Sequence, residues 1–135
     1  MSITQAQAET AIVAARRAAE RIGVPMNIAV FDDGAHLKAF VRMDGALLGS
    51  VDIALGKART AALFGLNTEM VGEFSRPGGT SPGLENTNGG LVVFAGGMPM
   101  RGSDGRVIGA IGISGGAVAQ DHDVAEAAVA AVQPA

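Results

Sequence analysis

The segment VIGAIGISGG, residues 107–116, narrows the folds open to this chain more than any other stretch. Its period-two alternation reads as a strand on which Ile108, Ala110, Gly112 and Ser114 share one face. Glycine weakens a strand, so one this rich in it implies that a helix or a ligand approaches that face closely. Gly115 and Gly116 then turn the chain into a helix whose first N–H groups offer an anion site. On a helical wheel Val118, Ala125, Val129 and Val132 define an apolar arc, with Asp121 inside it and His122 at its edge. Gln120 and Asp123 point to solvent. For Asp121 two roles stand side by side: capping backbone N–H groups, or holding a ligand or Arg42. His122 is either a surface or interface histidine or a ligand-binding one. No metal is expected from the DHD run, because adjacent helical residues splay by about 100° and cannot clasp one ion.

The rest of the chain supplies the partners of that strand. Thr4 and Gln7 form a capping box, and Ala8, Ala11, Ile12, Ala15, Ala19 and Ile22 recur at helical spacing up to Gly23 and Pro25, so residues 4–22 are a helix. MNIAVFDDGAHLKAFVRM reads as a hairpin turning at Asp33-Gly34, a dipeptide that tolerates positive φ. On its second strand His36, Lys38, Phe40 and Arg42 share one face, and Leu37, Ala39 and Val41 the other. Ser50 is a plausible N-cap for a helix through about Phe64, with Val51, Leu55, Ala58 and Ala62 on one stripe and Ile53, Lys57, Thr60 and Phe64 on the opposite one. One stripe packs on the sheet; the other meets a partner subunit, or places Lys57 and Thr60 in a ligand cavity.

Residues 67–74 read as a short helix, and 75–90 as a long loop of the kind that is usually functional or disordered. LVVFA is expected to be a strand, residues 99–114 a second hairpin turning at Asp104-Gly105, and 117–132 the closing helix. The order is that of an α+β sandwich in one domain, residues 1–135.

Composition excludes several functions. With no cysteine the chain has no disulfide, thiolate metal site or cysteine nucleophile. A net charge of −3, scattered basic residues and five aromatics, all Phe, argue against a nucleic-acid partner. The start, MSITQAQAET, has no basic region followed by an apolar core, and no stretch stays apolar long enough to span a bilayer, so a cytoplasmic protein without a membrane partner is expected.

Taken together, RMDGA, KARTAALF, GGMPM and DGRVIGAIGISGG followed by QD resemble the GlcG/HbpS family of haem-binding or haem-degrading-type domains, which is similar to the C-terminal domain of PduO. The resemblance covers nearly the whole chain. It implies a profilin-like three-layer sandwich, with an antiparallel five-stranded sheet flanked by helices, assembled into homo-oligomers. Arg42, Lys57, Thr60, Gln120 and Asp121 match the family's recurrent polar positions, and the loop holding Glu85 matches a region that relatives use around their pocket.

Two functions follow. The first is binding of a small ligand, haem or a related tetrapyrrole, in a pocket near a subunit interface. His36, His122, Met98 or Met100 would offer an axial ligand, Arg42 and Lys57 would neutralise propionates, and Gly112 would make room. The alternative is an enzyme of isomerase, hydrolase or deaminase type acting on a small carboxylated metabolite. There Arg42 and the helix N-terminus would hold the acid, and Asp121, Glu85 or His122 would move protons. Either way the second stripe of the central helix needs a cover. Light scattering at micromolar concentration should return a multiple of the single-chain mass, and a monomer mass would contradict the oligomer.

Overall fold

The protein is described by a computed structural model covering residues 1–132. Helix α1 (Gln5–Ile22) begins at the expected capping box: Thr4 Oγ1 accepts the Gln7 N–H at 3.1 Å, and Gln7 Oε1 accepts the Thr4 N–H at 2.9 Å. Left-handed Gly23 ends it. Strands β1 (Asn27–Asp32) and β2 (Leu37–Arg42) form the first hairpin, and α2 (Ser50–Phe64) and α3 (Thr68–Ser75) follow. A 3-10 turn (Leu84–Asn86), the hairpin β3 (Gly97–Arg101) and β4 (Val107–Ser114), and α4 (Val118–Val132) complete the order. The sheet is antiparallel with strand order β2-β1-β4-β3, so β1 and β4 are central.

The two faces of this sheet differ in bulk. Ile28, Val30, Met100, Ile111 and Ile113 pack against α1 and α4, whose facing alanines, among them Ala8, Ala15, Ala125 and Ala128, let those helices close on the sheet and each other. On the opposite face Ala29 of β1, Gly112 of β4 and Gly97 of β3 are successive cross-strand neighbours. Helix α2 lies directly on this row: a Cβ on Gly112 would run into the Ala54 carbonyl oxygen and sit 2.5 Å from Ala58 N. The close approach that the glycine-rich strand required is therefore made by a helix. Ile108 leaves that face, because an irregularity in the β3–β4 ladder turns it into the α1/α4 core.

Several expectations are corrected. Four strands, not five, are present among the described residues. LVVFA, 91–95, joins no ladder because side chains of α2 and α3 take backbone groups in and beside it. Thr60 Oγ1 accepts the Val92 N–H at 3.1 Å, and Thr68 Oγ1 donates to the Phe94 carbonyl at 2.7 Å and accepts the Gly97 N–H at 3.0 Å. The buried face of α2, Ala54, Lys57, Ala58 and Ala61, runs between the two stripes that periodicity drew, since the alanines lie flat on the sheet. Gly49 rather than Ser50 occupies its cap position. In the first hairpin the residue with positive φ is Ala35, at 62°, not Gly34, and Asp32 Oδ1 holds the turn by accepting the Gly34 and His36 N–H groups, each at 2.9 Å.

Gly112→Val should lower stability by more than ~3 kcal/mol in urea denaturation, because neither helix nor sheet backbone can retreat without breaking the layer. Gly49→Ala, where an added Cβ meets nothing within 4 Å, should stay within about 0.5 kcal/mol of the parent.

Candidate functional site

Because α2 rests on small residues, Lys57 starts at the sheet surface and has no route to solvent. Its side chain is 0% exposed. The ammonium donates to the Ile113 carbonyl at 2.8 Å and to Asp121 Oδ2 at 3.0 Å, and lies 5.0 Å from the centroid of the Phe94 ring. Ile113 donates its own N–H to the Gly96 carbonyl at 2.9 Å, so the ammonium takes the acceptor that a continued β3 would have filled. Gly96, at φ 124°, passes so close to Nζ that a Cβ there would lie 2.6 Å from it.

Asp121 is 3% exposed, and its second oxygen, Oδ1, accepts the Gly116 N–H at 2.9 Å. Gln120 Oε1 accepts the Ala117 N–H at 2.9 Å. The N–H groups that the sequence offers to an anion are thus capped by the chain itself. Burial pushes the Lys57 ammonium below and the Asp121 carboxyl above their ordinary pKa values. Their mutual attraction opposes both shifts, and the Gly116 N–H opposes the second.

Outside this sealed pair lies a groove of about 500 Å³. Glu69 and Gly72 from α3, Arg76 just after it, the segment Val93, Phe94 and Ala95, Glu85 of the 3-10 turn and Val118 of α4 line it. Phe94 separates the two regions: it is 43% exposed, with the Lys57 ammonium under its ring. His122 adjoins the groove, with Nδ1 3.3 Å from Glu69 Oε2 and Nε2 2.8 Å from Glu126 Oε1. Glu69 Oε1 and Glu85 Oε1 are buried without hydrogen-bond partners.

The residues singled out from sequence therefore fall into four places. Lys57 and Asp121 touch, with Thr60 and Gln120 bracing the segments beside them. Glu85 and His122 border the groove. Arg42 is exposed at the far end of β2, lining a separate groove with Arg16, Glu20 and Asp44, and Gly112 lies beneath α2. The constellation of Arg42 with Asp121, Glu85 and His122 is not assembled within one chain. Of the four axial candidates, Met100 is in the α1/α4 core, Met98 packs against it, and His36 is 80% exposed at the first hairpin. His122 alone of the four adjoins the groove. Sequence reading missed Phe94 and Glu69. Phe94 was hidden inside an apolar run with the look of a core strand, and Glu69 carries no signal beyond its place in the first turn of α3. Among the described residues no three His, Asp or Glu side chains converge as a metal site, and no helix is long and apolar enough to cross a membrane.

The family model described as haem degrading protein HbpS-like matches residues 3–130. The chain belongs to this family. This HbpS-like chain is 40% identical over 129 residues to an uncharacterized 15.0 kDa protein of the dhaT-dhaS intergenic region of Citrobacter freundii, covering 95% of the chain and 90% of that protein. It is 38% identical over 116 residues to the protein GlcG of Escherichia coli K12, covering 83% of the chain and 81% of GlcG. A crystal structure of a PduOC:heme complex superposes with a TM-score of 0.91 at 34% identity, covering 97% of this chain and 95% of that one.

Removing one member of the buried pair leaves the other charge stranded. Lys57→Met should lower stability by about 3–5 kcal/mol in chemical denaturation, and Lys57→Met/Asp121→Leu should recover most of that loss. A double variant as unstable as the single one would mean that the contacts to Ile113 and Phe94, not the stranded carboxylate, dominate.

Proposed function

We propose that this HbpS-like chain binds haem or a related tetrapyrrole in the groove between α3, residues 93–95 and the start of α4. The observation that carries the reading is the superposition, over nearly the whole chain, on PduOC in its complex with haem. The chemistry of the groove fits such a group. Val93, Phe94, Ala95 and Val118 supply an apolar wall for a flat macrocycle, and His122 supplies an imidazole at its border once one ring nitrogen gives up its contact with Glu69 or Glu126. When bound, the iron would supply redox and ligand-exchange chemistry. Glu69 and Glu85 would repel an edge bearing propionates, so that edge turns toward solvent or toward Arg76.

We further read the groove as lying near a boundary between subunits. Met70 and Phe74 on α3, Phe94, and Val118 on α4 are large apolar side chains left 43–47% exposed, and Leu63 and Phe64 add to them at the end of α2. Water is a poor cover for so many. A second copy over this face would deepen the groove and shield its ligand, in keeping with a homo-oligomer that binds its ligand near an interface.

Haemin titrated into the full chain should give a saturable Soret shift, and His122→Ala should change that spectrum while leaving the circular dichroism intact. A spectrum equal to that of free haemin at stoichiometric protein would refute the reading. A shift unchanged in His122→Ala would move the iron ligand elsewhere.

A further inference from the structure

Phe94 borders the groove with a buried charge beneath its ring. Its ring lies 5.0 Å from the Lys57 ammonium, and the residue also lines the groove with Val93, Ala95 and Val118. Its backbone is held as firmly, since the carbonyl accepts from Thr68 Oγ1 at 2.7 Å. An exposed phenylalanine on an irregular segment ordinarily loses rotamer freedom when a ligand orders it. Here the attraction between ring and ammonium, strengthened by the burial of Lys57, restrains the ring before any ligand arrives.

We propose that Phe94 is the stacking residue of the groove, a ring preset by Lys57 to receive the face of a flat conjugated macrocycle. This rests on the tetrapyrrole reading above and goes further: it assigns affinity to ring-on-ring contact in addition to any bond to iron. The ligand class that follows is planar and π-rich, and it does not require a metal.

Metal-free protoporphyrin IX isolates this contact, because it cannot form an axial bond. The chain contains no Trp or Tyr, so porphyrin emission can be followed without interference from the protein. Protoporphyrin IX and haemin are titrated into the parent chain, Phe94→Leu, Phe94→Tyr and His122→Ala, with circular dichroism on each. Phe94→Leu should weaken protoporphyrin IX about tenfold, within the range that aromatic stacking supplies, while Phe94→Tyr should stay within about twofold. His122→Ala should weaken haemin more than protoporphyrin IX. Protoporphyrin affinity in Phe94→Leu within twofold of the parent overturns the stacking role, as does an equal loss in Phe94→Tyr. A parent chain that binds neither porphyrin overturns the tetrapyrrole reading itself, and the stacking role with it.

Discussion

An ammonium without solvent contact has to find its acceptors inside the protein, and Lys57 finds them where four chain segments meet. It ties α2 to the end of β4 through Ile113, to the first turn of α4 through Asp121, and to the irregular segment before β3 through Phe94. In a low-dielectric interior each bond is strong, and so is the penalty for omitting one. The pair need not stabilise the fold more than two apolar side chains of the same size would. Its effect is positional: a shift of α2 along the sheet would carry Nζ away from both acceptors at once.

That position depends in turn on a lack of bulk. Ala29, Gly112 and Gly97 leave a row without bulk across the α2 face of the sheet, bordered by Phe31, while Ile28, Val30, Ile111 and Ile113 crowd the opposite face. Helix backbone can therefore lie against strand backbone on one side only. Lys57, Thr60 and Thr68 then reach the backbone groups of residues 92–97 and Ile113, and residues 91–95 stay out of the sheet. The groove exists because that strand does not, with Phe94 left facing outward from a segment anchored at its carbonyl.

Local chemistry made much of the fold legible. The capping box at Thr4 and Gln7, the stop at Gly23 and the Asp104-Gly105 turn of the second hairpin act within a few residues of themselves, so their signals survive without tertiary context. Gly112 announced a close approach because no other residue type permits one. The polar site was harder to read. Lys57 on a helix has the pattern of a solvated residue until one knows that α2 lies flat on alanine and glycine. Asp121 inside an apolar arc was noticed, but its partner is 64 residues away in sequence. Arg42, the other partner that the sequence offered to Asp121, lines a separate groove with Asp44, and Asp121 is taken by Lys57 and the Gly116 N–H instead.

What the sequence determined by itself were the helices, the two hairpins, the α+β class and the demand for a close contact at Gly112. Each depends on the geometry of one residue or one repeat. What only the tertiary structure decided was who answers that demand, why LVVFA is no strand, and which side chains border the groove. Those outcomes turn on competition for the same backbone groups between a sheet ladder and the side chains of Lys57, Thr60 and Thr68. Such a competition is settled by distances between segments far apart in the chain, and local pattern carries no record of them.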